Sequence, residues 1–235
     1  MRTEIEGVFA AAILAAAGLA GCDRALQRSS PAPAPPPVAG KEAVPAASPA
    51  GEKWTELFDG KTLTNWKVTA FGGEGAVKVE DGKIIVEPGV DLSGIHWTGP
   101  ALPRMNYEFT VEAMKLEGSD IFCGISFPVG DSQCSFVAGG WGGGIVGLSS
   151  INDMNASENE TTKVMAFAEN RWYAFRLRVT PGKIEGWIDQ EKVVDVETKD
   201  KKISIHPMME PSRPLGLATY VTRSAFRNIR IRALP

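Results

Sequence analysis

From Trp54 onward the chain sets short apolar segments between turn residues, and no stretch sustains the 3.6-residue period of a long helix. Trp54 to Phe58 and Asn65 to Val68 flank the turn Asp59-Gly60-Lys61, and Val77 to Val86 reads as two strands about the hairpin signal Asp81-Gly82. Tyr107, Phe109, Val111 and Ala113 alternate with Glu108, Thr110, Glu112 and Met114, the pattern of a half-buried strand over Tyr107 to Leu116. Ile121 to Phe127 is more continuously apolar and is predicted to lie centrally in a sheet. Arg171 to Val179, Ile184 to Ile188 and Val193 to Val196 are separated by Pro181-Gly182 and by Asp189 to Lys192, which predicts three consecutive antiparallel strands. Ala225 to Ala233 supplies a last alternating strand. About a dozen short strands at this spacing predict an all-β, two-sheet antiparallel sandwich.

Composition adds little to that picture: 235 residues, 43% hydrophobic and 23% charged, are ordinary for a globular protein. A net charge of −3 offers no basic face, and no nucleic-acid partner is expected.

The three cysteines divide into two groups. Cys22 ends Leu19-Ala20-Gly21-Cys22 after the apolar run Val8 to Ala20, the arrangement of a bacterial lipoprotein signal over residues 1–21 with Cys22 as the lipidated position. Arg2 stands there against Glu4 and Glu6, a poor positive start, so an uncleaved anchor or a misassigned start codon is the rival reading. Residues 22–51, rich in Pro, Ala and Ser, read as an extended tether, which places the functional domain at 52–235 and predicts a location in the cell envelope, held to a membrane by lipid. Cys123 and Cys134 fall on the two arms of a hairpin closed by Pro128 to Asp131. A turn centred on Val129-Gly130 sets Cys123 opposite Phe136 and Cys134 opposite Ile125, so a bridge needs a shifted register, and two buried free thiols are the alternative.

The stretch Phe136 to Thr162 is the candidate site. Gly139-Gly140-Trp141-Gly142-Gly143-Gly144 suits either close approach of a ligand to the backbone or a bulged turn. Asp153, Asn155, Glu158, Asn159 and Glu160 follow, as ligand-gripping groups or as a solvated lip. Glu158 and Glu160, if extended, share one face with Cα atoms roughly 6.6 to 6.8 Å apart, which nominates them as an acid/base pair or, with Asp153, as ligands of a cation such as calcium. Trp141, set between glycines, suits stacking on a ligand face or closing a sandwich end as a core residue, with Asp153 and Asn155 as further ligand contacts. His96, in Gly94-Ile95-His96-Trp97, is a third acid/base candidate beside the reading of a partly buried structural histidine. His206, before Pro207, carries little weight.

Several phrases taken together resemble the 3-keto-disaccharide hydrolase family: Leu57-Phe58-Asp59-Gly60-Lys61-Thr62-Leu63 with Trp66, Val79 to Ile84, Trp172-Tyr173 with Ile184 to Asp189, Pro214 to Leu217, and Phe226 to Ile231. The resemblance spans about Glu52 to Leu234 and implies a concanavalin A-like jelly-roll fold. It also implies cleavage of a glycoside oxidised to a ketone at C3, by removal of the C2 proton, loss of the glycosidic oxygen and hydration. Such a reaction asks for a base, an oxyanion stabiliser and an acid. The chain departs from the family at Ser119 to Pro128, where many members carry an Asn-Ser-Gly phrase ending in Phe-Arg. It also departs after Gly216-Leu217, where Ala218 and Tyr220 stand in place of a Gln and a His. Tyr220 is thereby a candidate substrate contact. The departures favour a rival, a noncatalytic carbohydrate-binding module on the same fold. A retaining β-glucanase is rejected, because its Glu-x-Asp-x-x-Glu strand is replaced here by Glu158-Asn159-Glu160 alone.

Overall fold

The computed structural model describes residues 53–235; the expected signal, Cys22 and the whole of the tether lie outside the described residues. In chain order the strands are β1 (Thr55–Glu56), β2 (Trp66–Val68), β3 (Val77–Glu80), β4 (Lys83–Val86), β5 (Leu92–Trp97), β6 (Tyr107–Glu117), β7 (Cys123–Val129) and β8 (Ser132–Gly139). They continue as β9 (Ile145–Ser149), β10 (Lys163–Val164), β11 (Trp172–Thr180), β12 (Lys183–Ile188), β13 (Glu191–Glu197), β14 (Gly216–Tyr220) and β15 (Arg223–Ala233). One sheet runs β13-β12-β11-β6-β15-β4-β3 with β1 on β15, the other β10-β9-β8-β7-β14-β5-β2, and every pairing is antiparallel. The two-sheet sandwich is therefore as the alternation predicts, with β7 well inside its sheet.

The core lies between the sheets. Tyr107, Phe109, Val111 and Ala113 of β6 face Cys123, Ile125, Phe127, Cys134 and Phe136 of β7 and β8, all within one buried apolar cluster. Each fully buried large side chain contributes about 1.5–3 kcal/mol. Phe122 and Phe136 both meet Phe175 with centroids 5.9 Å apart, joining the sheets through edge-on aromatic contacts. The turn at Asp59 does not make a hairpin: β1 joins one sheet and β2 the other. Trp66 Nε1, donating to the Leu57 carbonyl at 2.7 Å, ties the two segments across it.

The outward faces of the two sheets differ, and that difference makes the site. On β6 and β11 the outward residues include Glu108, Thr110, Glu112, Arg176 and Arg178, four charged groups and a threonine, with Glu108 buried among the arginines that pair with it and the others part-exposed. On the second sheet the outward positions hold Gly124 and Ser126 of β7, Ser135 and Val137 of β8, Gly147 and Ser149 of β9, Gly216 and Ala218 of β14, and Gly94 of β5. Small residues on five adjacent strands leave a depression that flanking segments wall in.

The cysteine register differs from the expectation. The β7–β8 turn centres on Gly130-Asp131, so Cys123 stands opposite Ala138 and Cys134 opposite Phe127, and both are buried free thiols. Gly130, at φ +59, accounts for the shift, since a left-handed residue is accommodated where glycine falls. Burial pushes both thiols up, Cys134 to about 12.

Candidate active-site cleft

A cleft of about 370 Å³ lies on the outward face of the second sheet. Ser135, Val137, Ser149, Gly124, Ala218 and Leu92 form its floor. Its walls come from three segments that the sandwich brings to one end: the β8–β9 connection with Trp141, the Asp120-Ile121 entry to β7, and His206 with Met208 and Met209 of a 3₁₀ helix over Pro207–Ser212. Asn155 and Tyr220 complete the lining.

The glycine-rich connection is a tight turn that projects Trp141. Gly139 and Gly142 sit at φ +84 and +87, and a Cβ on Gly139 would come within 2.8 Å of the Phe122 ring. Trp141 is itself left-handed at φ +50 and 49% exposed at the rim. Asp120 fixes this turn: its Oδ1 accepts the Ile121 N–H at 2.8 Å and its Oδ2 the Gly142 N–H at 3.2 Å.

Polar groups enter the cleft in defined states. His206 caps the 3₁₀ helix, its Nδ1 accepting the Met208 N–H at 3.3 Å, which assigns the proton of the neutral ring to Nε2. Asn155 Oδ1 accepts from Ser149 Oγ at 3.4 Å, which leaves its amide N–H₂ as a donor. Tyr220 donates its hydroxyl to Asp91 Oδ1 at 3.1 Å, and that carboxylate, with Asp120 nearby, pushes the phenol up.

Of the residues nominated from sequence, Trp141, Asn155 and Tyr220 come together in this cleft; Asp153, Glu158, Glu160 and His96 do not line it. The Asn155–Thr162 segment is turn rather than strand, so Glu158 and Glu160 do not share a sheet face. Asn159, read as a ligand-gripping group or as part of a solvated lip, is buried and organises the turn: its amide donates to the carbonyls of Leu148, Met154 and Asn155, and its Oδ1 accepts the Thr161 N–H at 2.9 Å. Glu158 Oε2 accepts the Asn155 N–H, Glu160 pairs with Lys201 and Asp153 with Lys202. Among the described residues no three His, Cys, Asp or Glu side chains converge as metal ligands, Asp153, Glu158 and Glu160 included. His96 lies on β5 with Nδ1 3.0 Å from Thr69 Oγ1, and burial, then the Lys67 charge, hold it below the usual histidine range.

Sequence reasoning missed Asp120 and Met208 and gave His206 little weight. Asp120 and His206 lie far apart in the chain, and the fold alone joins them. A signal for the floor was present: Cys123-Gly124-Ile125-Ser126-Phe127, Gly147-Leu148-Ser149 and Gly216-Leu217-Ala218 alternate large apolar residues with small ones instead of charged ones. Such strands have one face in the core and the other under something.

Solved structures share the fold. The non-specific endo-β-1,3(4)-glucanase SCLam of family GH16 matches with a TM-score of 0.54 at 12% identity, covering 82% of this chain and 95% of that one. The Crh5 transglycosylase in complex with NAG matches with a TM-score of 0.52 at 12% identity, covering 79% and 84%. The carbohydrate-binding module CBM66 from Bacillus subtilis gives 0.49 at 12% identity, covering 72% and 96%. Curated proteins give no match. The model of the 3-keto-alpha-glucoside-1,2-lyase-like domain matches residues 53–232, the whole sandwich and its cleft, and the chain belongs to that family.

Proposed function

We propose that the cleft binds a glycoside carrying a ketone at C3 and cleaves it by elimination followed by hydration. The observation that carries this reading is the convergence of Asp120, Asn155 and His206 in one cleft on a chain of this family. Asp120, with lone pairs beyond those given to Ile121 and Gly142, takes the C2 proton. The electron pair left at C2 delocalises onto the C3 oxygen, where the Asn155 amide donates to the developing enolate. As the C3 carbonyl re-forms, the pair makes the C1–C2 double bond and the C1–O bond breaks. The departing oxygen takes the proton that Asp120 removed from C2 while His206 Nε2–H donates a hydrogen bond to it, so the carboxylate and the neutral imidazole are both restored. Water then adds its hydroxyl at C1 and its proton at C2, giving the free 3-keto sugar.

A noncatalytic carbohydrate-binding module is the second reading, favoured by the occupation of both Asp120 oxygens by backbone N–H groups. Aglycone release from a 3-keto-glucoside separates the two. Under the first reading Asp120→Asn and His206→Gln each lower turnover by roughly 10²-fold or more; binding without release by the wild-type protein leaves the module.

Membrane attachment through lipid at Cys22 is proposed on the signal pattern alone. Cys22→Ser releases the protein from membranes if it is right, and retention after a salt wash counts against it.

A further inference from the structure

The polar groups of the cleft are enough for one sugar ring and no more. Asp120, Asn155, His206, Tyr220 and the unpartnered Ser135 hydroxyl on the floor offer the usable hydrogen-bonding positions; Ser149 is turned to Asn155, and the lining has no Lys or Arg. The remaining interior is apolar, with Leu92, Ile121, Val137 and Met209 along the walls and floor. At the rim stand Trp141 and Met208, large apolar side chains that are 49% and 44% exposed. A volume of about 370 Å³ is at the small end for ligand pockets. A second sugar ring would bring several more hydroxyl groups against these apolar surfaces. Each hydroxyl left dry and unpaired opposes binding. An aromatic or alkyl group would instead remove Trp141 and Met208 from water.

Resting on the proposed reaction, we infer that the substrate is a single 3-keto-glucosyl unit joined to an apolar aglycone, rather than a disaccharide. The sugar ring occupies the end defined by Asp120, Asn155 and His206, and the aglycone lies between Trp141 and Met208. Specificity then resides in the 3₁₀ helix and the glycine-rich turn, while the chemistry resides in groups that any member with this constellation would need.

Benzyl 3-keto-α-glucoside and a 3-keto-α-linked glucose disaccharide test this with leaving groups that are both alkyl alcohols. With the full chain, kcat/KM for the benzyl compound is expected to exceed that for the disaccharide by roughly tenfold or more, through KM. Trp141→Ala and Met208→Ser are each expected to bring that ratio toward one. Equal or better cleavage of the disaccharide, or an unchanged ratio in both variants, overturns the inference while leaving the reaction in place. If neither compound is cleaved, the proposed reaction fails, and calorimetric titration with benzyl α-glucoside and with maltose decides the ligand question alone. Tighter binding of the benzyl glucoside, lost in Trp141→Ala, supports an apolar-aglycone site; equal binding, tighter maltose or no binding of either rejects it.

Discussion

The Asp120 carboxylate accepts the Gly142 N–H at 3.2 Å, so a residue at the entry to β7 holds the turn that presents Trp141. The same carboxylate accepts the Ile121 N–H, and the Asp120 N–H donates to Thr222 Oγ1 at 3.1 Å, which locks the wall to the segment after β14. Asp120→Ala removes both acceptors and is expected to cost about 1–3 kcal/mol of stability. It should also free Trp141, seen as increased quenching of its fluorescence by acrylamide. Unchanged quenching and an unchanged melting temperature would show that Asp120 does not hold the turn.

Glu108 tests the opposite face. Its side chain is 1% exposed on β6, held by Arg178 at 2.7 Å, by Arg176 at 3.3 Å and by Arg232. Burial pushes this carboxyl up, and the hydrogen bonds and charges of Arg232 and Arg178 overcome that and hold it below the usual range. A carboxylate depressed in the folded state contributes stability above its unfolded pKa, and that contribution is lost as pH falls through the folded value. Urea midpoints should therefore fall on acidification below the ordinary glutamate range. Glu108→Gln should flatten that part of the profile and cost about 3–5 kcal/mol at neutral pH, because three guanidinium groups lose their shared carboxylate. A variant as stable as the wild type, with the same acid limb, would show that the cluster contributes little.

The fold was legible because its cause is local: Tyr107 to Ala113 alternates about one buried face, and Asp81-Gly82 and Pro181-Gly182 mark turns that β3–β4 and β11–β12 make. The site was legible only in part. Trp141 and Asn155 were found through the unusual composition around them, and Tyr220 through departure from a family pattern. Asp120 and His206 carry no local mark. Their pairing depends on where β7 and the 3₁₀ helix lie on the second sheet, a long-range relationship that no periodicity encodes. The extended-strand assumption for Glu158 and Glu160 failed because buried Asn159 between them bonds to surrounding carbonyls and folds the segment into turns.

Cys123 and Cys134 should behave as inert thiols. Both side chains are fully buried on the core faces of β7 and β8, and burial keeps them protonated. Neither should be alkylated by iodoacetamide in the native protein at pH 8, and both should react after unfolding in guanidinium. Mass spectrometry without reductant that finds Cys123 joined to Cys134 would contradict the β7–β8 register.

Glu158 and Glu160 distinguish a reaction in the cleft from one at the acidic lip. Glu158 accepts the Asn155 N–H at 3.1 Å, a role that the side-chain oxygen of Gln can keep, and Glu160 forms an exposed pair with Lys201 of a kind that contributes little to stability. Glu158→Gln and Glu160→Gln should therefore leave turnover of a 3-keto-glucoside within about twofold, against the roughly 10²-fold losses expected for Asp120→Asn and His206→Gln. Calcium added to the wild-type protein provides an independent reading of the same lip. A rise in melting temperature that disappears in Glu160→Gln would make Asp153, Glu158 and Glu160 a cation site assembled only when the ion is bound. Loss of turnover in either glutamate variant, without loss of stability, would move the chemistry from the cleft to the lip and leave Asp120 as a holder of the Trp141 turn alone.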